Sequence, residues 1–523
     1  MLEGKTDILI TGAGPVGLFM ACQLVKHNMR FRIIDQSPGV TAYSGALIIH
    51  AGTLELFRQL GLAEEAIARG RILKAMHFSF NGKKAVRLDI GHAGKNQSEY
   101  PYALLLEQHK TENILIRFLE KNRVKIERET ALTDFSEFSD HVDNYITCGF
   151  TDEKIVSSYL VAADGGHSLV RSKLEIPLLG KTHSRSLFAT DCKASVNLPE
   201  NEALIAVSPG ATTGLFPLGN GKWRIDGAFL WHDANSDISF RNISDHFKRK
   251  TKLDFGLNEP SWFSKFESHQ RNALFFNTER CFLVGDAAHL YSPVGAQGMN
   301  HGMQDAANLA WKMSFVLKKW AKPCVLYTYE QERKQVSEKT AHISDRVFNV
   351  LSSDRSALKF FRLRLLPFML KLFLPLIKTT KVKEYLFRSI SGIGAVYQGS
   401  VLSRKSAYGR PCAGERMPFG VFTEGHKSEE ITETIGNTRM QIFLLKKEQD
   451  TELFRKVIDR FKNQLFVREI EYKEATKLLF DRLSVKRTMF YLVRPDFYIA
   501  CKGTDAEFLE KYLYRVLIPN GGS

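Results

Sequence analysis

A glycine-rich turn near the N-terminus constrains the fold of this 523-residue chain more than any other feature. The apolar run 6–10 ends in the pattern Gly12-x-Gly14-x-x-Gly17, and the residues after it have helical patterning. A second apolar run, residues 31–34, ends at Asp35. Because parallel strands need a crossover connection, this order of strand, turn, helix and strand predicts a βαβ unit.

The residues of this turn suit a dinucleotide. Gly12 allows the tight turn, Gly14 lets the backbone approach a pyrophosphate, and Gly17 lets helix and strand pack closely. Pro15 and Val16 open the helix whose N-terminus would face the anion. Asp35 follows Gly17 by 18 residues, where a carboxylate would bind a ribose hydroxyl. A glycine turn without a ligand is the alternative, and the βαβ context with Asp35 argues against it.

Composition describes an ordinary globular protein and leaves the partner open. The chain is 44% hydrophobic and long enough for about two to four domains, which excludes a disordered or collagenous class. An excess of 73 Lys and Arg over 57 Asp and Glu gives a net charge of +16. This charge can attract nucleic acid, an anionic membrane or a phosphorylated cofactor. Nucleic acid is the weakest option, because the basic residues are dispersed and no recognition motif accompanies them.

Cysteine spacing and hydropathy predict a cytoplasmic protein without a structural metal. None of the seven cysteines lies within four residues of another, so neither CxxC nor a zinc-finger spacing occurs. A scattered, odd set is typical of a reducing compartment. The apolar run near the N-terminus contains three glycines and a proline, unlike a signal peptide, and no run reaches the ~20 apolar residues of a membrane span.

Two later clusters also follow apolar strands. Asp164 and Gly165 end one strand, and Ser168 and Arg171 open the helix after it; alone, this is more typical of a capped turn than of a ligand site. Gly285 and Asp286 end another strand, and a loop then leads into a long helix through Pro293, Gly295, Gln297, Gly298, Met299 and Asn300. A carboxylate suits ribityl hydroxyls, and N–H groups at a helix N-terminus suit a negatively charged flavin pyrimidine. A buried aspartate that caps the helix is the alternative.

In this order and spacing the clusters resemble the class A flavoprotein monooxygenases, the family of para-hydroxybenzoate hydroxylase and phenol hydroxylase. The resemblance covers essentially the whole chain and is weakest in the substrate region. It implies that the first cluster with Asp35 is the dinucleotide fingerprint, and that the second is a motif associated with FAD and NAD(P)H. It also implies that Gly285 and Asp286 contact the riboflavin part of FAD and that Gln108 lies near the flavin.

The resemblance implies an α/β fold with a Rossmann-type FAD-binding domain, an inserted antiparallel-sheet substrate domain and a C-terminal thioredoxin-like domain. The expected boundaries are 1–75, 103–180 and 270–350 for the FAD-binding domain, 76–102 and 181–269 for the substrate sheet, 351–415 for a helical connector and 416–523 for the thioredoxin-like domain. Because that last domain lacks CxxC, we expect a structural or oligomerisation module.

The implied activity is a single-component monooxygenase that uses FAD, NAD(P)H and O₂ to hydroxylate a phenolic or polyketide-like aromatic compound through a flavin C4a-hydroperoxide. The flavin carries this chemistry, and the protein supplies a dry cavity. Only one GxGxxG pattern occurs, so NAD(P)H would bind transiently. A flavin oxidoreductase without oxygen insertion, an epoxidase-like relative acting on a lipophilic substrate, and a flavin-free scaffold stay open.

The sequence departs from the family pattern at two positions. Where the resemblance implies arginines near the FAD phosphates and the nicotinamide nucleotide, this chain has Gly45 and Gly52. We therefore expect looser binding of FAD. No catalytic base is assigned: each of the polar candidates in the substrate region is more typical of a satisfied structural residue, and these are His77, Tyr102, Asp191, Asp226 and His232. For His289 we expect a structural role and not a catalytic one.

The stretch 355–390 is basic, very apolar and interrupted by two prolines. A core-facing helix pair between the catalytic part and the C-terminal domain is the first interpretation. A helix on a membrane surface, with its basic residues near anionic lipid, is the second. A homodimer also stays open.

Overall fold

The computed structural model describes residues 2–40, 45–95, 97–209, 211–229, 240–293, 295–352, 355–377, 379–405, 409–419, 434–447 and 451–520. Strand β1 (Leu2–Thr11), helix α1 (Pro15–Lys26) and strand β2 (Phe31–Ile34) form the βαβ unit that the glycine pattern predicts. β1 and β2 run parallel, with Ile8 opposite Phe31. The glycine turn therefore follows the carboxyl end of a buried strand.

The first sheet brings three strand ends together. Its other strands are β8 (Ile126–Glu127), β9 (Thr130–Glu137), β10 (Val142–Cys148), β11 (Thr151–Ala162) and β17 (Cys281–Leu283). The order is β8-β2-β1-β11-β10-β9, and β17 also pairs with β11. β1, β11 and β17 are parallel, with Thr11 beside Ala162 and Ala162 beside Leu283. The segments after these strands consequently meet at one edge of the sheet, where open α/β sheets bind ligands.

Six further helices and a small sheet complete this part of the fold. The helices are α2 (Ala51–Arg58), α3 (Ala63–Arg69), α4 (Gln108–Lys121), α5 (Leu169–Lys173), α7 (Gly298–Leu317) and α8 (Cys324–Ser352). The small antiparallel sheet has the order β3-β7-β4, formed by Ile48–Ile49, Ala103–Leu105 and Arg71–Leu73. α1 contacts both α4 and α7, and its residues Leu18 and Phe19 are fully buried in the core that joins these elements.

The second large sheet is mixed, where the sequence predicts an antiparallel insert. Its strands are β5 (Ala75–Phe80), β6 (Lys83–Asp89), β12 (Leu178–Lys193), β13 (Glu202–Ser208), β14 (Ala211–Gly219), β15 (Lys222–Phe229), β16 (Asn258–Ala273) and β18 (His289–Leu290). The order is β18-β16-β12-β15-β14-β13-β5-β6. β5 and β13 pair in parallel because both enter the sheet from the same end, where the N–H of Lys74 donates to the carbonyl of Asn201. β12 and β16 continue across the predicted boundaries at residues 180 and 269.

The two faces of this second sheet have different neighbours. On one face, Phe188, Trp223 and Ile225 pack into a core that also includes Leu257 and Phe240, the first residue of α6 (Phe240–Thr251). On the other face, Phe216 packs with Leu47 and Leu105 of the first part of the fold. The sheet therefore forms one wall of the space beside β3 and β7.

A helical connector leads to the C-terminal sheet. The connector contains α9 (Ser356–Phe360), a π-helical turn (Phe361–Leu365), α10 (Leu366–Ile377) and α11 (Thr380–Ile390). The C-terminal part contains β19 (Arg404–Lys405), β20 (Met440–Lys446), α12 (Glu452–Asp459), β21 (Leu465–Glu471), α13 (Lys477–Arg482), β22 (Met489–Val493), β23 (Ile499–Gly503) and α14 (Ala506–Val516). Its order is β19-β23-β22-β20-β21: β20 and β21 are parallel, and β22 is antiparallel to both β20 and β23. None of the described helices is long and apolar enough to span a membrane.

A buried charge cluster joins the C-terminal part to α7 and α8. Arg494 donates from its two Nη atoms to the two carboxylate oxygens of Glu332, at 2.6 and 2.9 Å. Lys312 Nζ lies 2.8 Å from the same carboxylate, and Asp496 also accepts from Arg494 at 2.9 Å. Burial lowers the pKa of Lys312 to about 8, while Arg494 and Lys312 hold the pKa of Glu332 well below its usual range. Removal of any one of these side chains would leave a buried charge without its partner.

Candidate functional site

The glycine turn leaves the backbone open at the start of α1. Gly12 has a φ of +98°, and a Cβ there would lie 2.3 Å from the carbonyl oxygen of Ala163. A Cβ on Gly17 would lie 1.9 Å from the carbonyl oxygen of Gly12, whereas one on Gly14 would meet nothing within 4 Å. The first turn of α1 has no side-chain cap and no acidic residue. The backbone at Gly14 thus faces open space at the positive end of a helix, which is the environment a pyrophosphate needs.

Asp35 holds the glycine turn in place. Its Oδ2 accepts from the N–H of Ala13 at 2.5 Å, and its Oδ1 accepts from the N–H of Ser37 at 2.7 Å. Arg128 Nη1 lies 3.6 Å from Oδ2. Each carboxylate oxygen can accept more than one hydrogen bond, so acceptor capacity remains for a ribose hydroxyl.

Asp164 offers an unsatisfied oxygen at the end of β11. Its Oδ2 accepts from the N–H of Leu169 at 2.9 Å, but its buried Oδ1 has no partner among the described residues. Burial raises the pKa of this carboxyl. The neighbouring Gly165 has a φ of +79°, and a Cβ there would meet nothing within 4 Å. A buried acceptor without a donor is costly, so this oxygen is suited to a ligand hydroxyl or N–H.

Arg171 links the second cluster to the third. Its guanidinium donates to the carbonyl of Ala287 at 3.1 Å and to that of Gly166 at 2.8 Å. Ser168 accepts from the N–H of Arg171 at 3.0 Å and caps α5. The predicted cofactor residue Arg171 thus bonds the backbone next to Asp286 and holds the loop around it.

Asp286 presents a free carboxylate beside the N-terminus of α7. It is exposed and makes no hydrogen bond or ion pair with the described residues. Desolvation by the surrounding protein raises its pKa, and the charge of Asp305 adds to the rise. A Cβ on Gly298 would lie 3.9 Å from its Oδ1. α7 begins at Gly298 without a side-chain cap or an acidic residue in its first turn. A carboxylate acceptor and a row of helix N–H donors therefore face the same space.

Sequence reasoning missed the residue that fixes this loop. Asp305, on α7, accepts at Oδ2 from the N–H of Gly285 at 3.1 Å and lies 2.6 Å from Nε2 of His289. Its Oδ1 accepts from Nε of Arg333 at 2.6 Å. The sequence signal for Asp305 is its position one helical turn after Gly302, on the helix that follows the loop. His289 is fully buried in this cluster.

The loop between β18 and α7 is tied to α2 and to the connector. Asn300 accepts at Oδ1 from the N–H of His50 at 2.9 Å and donates to the carbonyl of Ile48 at 2.8 Å. Gln297 donates to the carbonyls of Gly295 at 3.1 Å and Ile390 at 3.0 Å. The other predicted residues of the loop lie beside these: Pro293 and Gly295 are exposed, and Met299 is buried.

The two glycines at the expected arginine positions have different surroundings. Gly45 is exposed, and its Cβ would approach only Oε1 of Gln108, at 3.1 Å. Gln108 accepts from the N–H of Ala46 at 2.9 Å, at the N-terminus of α4. Gly52 is buried against the connector: its Cβ would lie 3.1 Å from both the carbonyl oxygen of Ser391 and the carbonyl carbon of Gly392. The connector backbone thus fills the space that a larger side chain at residue 52 would need.

The polar candidates of the second sheet divide into satisfied and unsatisfied groups. Asp191 pairs with Arg224 and accepts from Trp262 Nε1 at 2.8 Å, so both of its carboxylate oxygens have protein partners. His77 pairs with Glu202, Tyr102 is half-buried, and His232 lies outside the described residues.

Asp226 is the unsatisfied candidate. It lies two residues after Arg224 on β15, on the face that holds Phe216, and its cross-strand neighbours are the small residues Gly214 and Ala189. The half-buried carboxyl has no hydrogen-bond partner among the described residues. Burial raises its pKa to about 6, and Asp191 adds to the rise while Arg224 opposes it. A free carboxylate thus faces the space between the second sheet and the first part of the fold.

Comparisons with known proteins agree with this geometry. A family described as FAD binding domain matches residues 5–344. The chain is 33% identical over 406 residues to 6-methylpretetramide 4-monooxygenase of Streptomyces rimosus, which covers 76% of this chain and 71% of that protein. It is 28% identical over 398 residues to a rifampicin monooxygenase of Streptomyces venezuelae, covering 75% and 79%.

Solved structures match over nearly the whole chain. OxyS anhydrotetracycline hydroxylase from Streptomyces rimosus superposes with a TM-score of 0.78 at 25% identity, over 98% of this chain and 100% of that one. The flavin-dependent monooxygenase PieE in complex with FAD and substrate gives a TM-score of 0.80 at 19% identity, with the same coverage. This second likeness concerns the fold alone.

Proposed function

Because the chain belongs to the family of FAD-dependent aromatic monooxygenases, we propose that it uses FAD, NAD(P)H and O₂ to hydroxylate a phenolic or polyketide-like aromatic compound. One observation carries the proposal: three groups that border the carboxyl edge of the first sheet have no side-chain partner among the described residues. They are the open backbone at Gly14, the buried Oδ1 of Asp164 and the free carboxylate of Asp286. An extended ligand such as a dinucleotide would contact all three.

The residues fit FAD at its two ends. The turn around Gly14 would hold the pyrophosphate and Asp35 the ribose hydroxyls, as in other dinucleotide sites. Asp286 would accept from the ribityl chain, and the first N–H groups of α7 would face the flavin pyrimidine. Bound FAD would supply the redox chemistry, with NAD(P)H as the electron donor and O₂ as the oxidant. NAD(P)H would bind transiently in a single-component enzyme, since the sequence has only one GxGxxG pattern.

Asp226 would accept the proton of a phenolic substrate. Removing that proton makes an aromatic ring richer in electrons and easier to oxygenate. A carboxyl with a pKa of about 6 is ionised at neutral pH yet remains a better base than an ordinary aspartate. Phe216 and the apolar residues Leu47 and Leu105 would exclude water from the same space.

The names of the relatives support a multi-ring substrate. They include monooxygenases of 6-methylpretetramide, anhydrotetracycline and rifampicin. We therefore choose anhydrotetracycline as a first probe. A thioredoxin-like fold for residues 416–523 is a further proposal, supported by the β20-α12-β21 unit followed by an antiparallel hairpin and a closing helix. A cytoplasmic location is consistent with seven free cysteines.

The test is reconstitution with FAD followed by a substrate screen. Titration of the purified protein with FAD should show saturable binding in the visible flavin spectrum. Aromatic polyketides should then accelerate NADPH or NADH oxidation. Protein that binds no FAD would support a flavin-free scaffold instead. Turnover that yields a dehydrogenated product without added oxygen would support a flavin oxidoreductase.

A further inference from the structure

The connector surface, which comprises residues 355–377 and 379–390, exposes more apolar side chain than its position in the chain requires. Phe368 is 64% exposed and Leu372 is 59% exposed, although both belong to a helix. Further exposed apolar residues on this surface are Phe360, Leu365, Phe373, Leu376, Tyr385, Leu386 and Ile390. Exposed apolar side chains concentrated in one segment usually mark an interaction site. This observation is unfavourable to the core-facing helix pair.

The same surface is strongly basic. Five of its exposed cations make no ion pair with the described residues, and they are Lys359, Arg364, Lys371, Lys381 and Arg388. Glu384 is the one acidic residue in the sequence between positions 355 and 390. Exposed cations therefore border the apolar side chains on a surface with almost no compensating negative charge.

The inner side of the connector surface is anchored, so the exposed side is not a consequence of loose packing. Arg362 is buried and donates to the carbonyl of Leu351 at 2.9 Å. Phe387 is buried, and a Cβ on Gly94 would lie 2.2 Å from its ring. α10 contacts β6, the edge strand of the second sheet. The connector thus has a packed side and an open side.

The charge pattern decides which partner suits the open side. A second copy of this chain would bring two strongly cationic faces together, which like-charge repulsion opposes. Aromatic and leucine side chains bordered by lysine and arginine are the pattern of a helix that lies in the headgroup region of a lipid bilayer. Anionic headgroups would attract the cations. We propose that the connector surface docks this protein on an anionic lipid bilayer, with Phe368 and Leu372 inserted at the boundary between headgroups and acyl chains.

Docking would place the bilayer close to the loop between β18 and α7, which the proposed function assigns to FAD. The carbonyl of Ile390, the last residue of α11, accepts from the side chain of Gln297 in that loop. The carbonyl of the next residue, Ser391, accepts from the N–H of Gly52 at 2.9 Å. The edge of the second sheet, at β6, would lie beside the membrane. A lipophilic aromatic compound would accumulate in that membrane.

The experiment is co-sedimentation of the full-length protein with vesicles, which does not depend on enzymatic activity. Phosphatidylcholine vesicles with and without phosphatidylglycerol are compared at low and high salt. We expect binding to the anionic vesicles at low salt and its loss at high salt, because salt screens the attraction. Absence of binding to anionic vesicles at low salt, or equal binding to neutral vesicles, would overturn the proposal.

Matched variants locate the binding surface. Phe368→Asp with Leu372→Asp should abolish binding, whereas Phe150→Asp with Leu453→Asp, which alters two exposed apolar residues elsewhere, should leave it unchanged. Arg364→Glu with Lys371→Glu should weaken binding at least tenfold, and Lys462→Glu with Lys486→Glu should not. Thermal denaturation checks that each variant folds. If the Phe368 and Leu372 variant binds like the parent protein, or if it converts a lipid-free dimer to a monomer, the bilayer is not the partner.

Discussion

The backbone N–H of Gly52 donates to the carbonyl of Ser391 at 2.9 Å, across 339 positions of sequence. This bond joins the first turn of α2 to the end of the connector, beside the loop that leads into α7. Residue 52 is a position where the family resemblance leads us to expect an arginine. The connector backbone occupies the space of the missing side chain, so this wall of the site is built from main chain.

We predict that an arginine at residue 52 destabilises the protein. Gly52→Arg would force the connector away from α2, and overpacking of this kind costs about 1–3 kcal/mol of unfolding free energy. Gly45→Arg is the matched control, since residue 45 is exposed and a side chain there would approach only Gln108. Thermal denaturation and FAD titration of both variants measure the difference. Equal stability of the two would contradict the packing argument.

Variants of Asp286 and Asp305 should have different effects: the first should weaken FAD binding, and the second should destabilise the fold. Asp286→Ala removes a carboxylate without internal partners, so FAD affinity should fall about 10- to 100-fold with little change in stability. Asp305→Asn should destabilise the protein, because Asp305 holds His289, Arg333 and the N–H of Gly285. Fluorescence titration with FAD and denaturant unfolding give the two quantities. A folded Asp286→Ala protein with unchanged FAD affinity would remove Asp286 from the site.

Asp226 should give the pH profile of turnover an acid limb near pH 6. Its folded pKa of about 6 exceeds the ordinary aspartate value, so ionisation is less favourable in the folded than in the unfolded protein. Its contribution to stability is therefore greatest below the ordinary value and is lost as the pH rises through the folded pKa. Asp226→Asn should be more stable than the parent protein at about pH 7.5 and equally stable at about pH 3.5.

The same variant tests the catalytic role of Asp226. Asp226→Asn should lower kcat about 100-fold or more on a phenolic substrate and remove the acid limb, as loss of a general base does. Asp191→Asn is the control, and it should lower stability, because the buried Arg224 loses its charged partner. An Asp226→Asn profile with an unchanged limb would show that another group accepts the proton.

Glu332 should be essential for the attachment of the C-terminal part. Glu332→Gln leaves Arg494 and Lys312 buried with one charge uncompensated, which costs about 3–5 kcal/mol. Glu469→Gln, in an exposed pair with Arg455, should cost less than about 1 kcal/mol. Denaturant unfolding of both variants provides the comparison. A small effect at Glu332 would mean that apolar packing alone holds the two parts together.

The local parts of the site could be predicted from sequence. The glycine turn, Asp35, Asp164 and Asp286 follow strand ends, and local patterns specify strand ends and helix starts.

Long-range relationships could not be predicted in the same way. The parallel pairing of β5 with β13, the bond between Gly52 and Ser391, and the choice of Asp226 over Asp191 all depend on segments far apart in the chain. For Asp226 the deciding fact is which partners Arg224 and Trp262 take, and no local pattern encodes that choice.

Product analysis with isotopically labelled O₂ tests the central claim most directly. FAD-loaded protein would be incubated with a nicotinamide cofactor and an aromatic substrate from the screen, and the product mass would be measured. We predict a product that carries one oxygen atom from O₂. Substrate oxidation without incorporation of the label, or NAD(P)H oxidation that yields only H₂O₂ with every aromatic compound in the screen, would contradict the account.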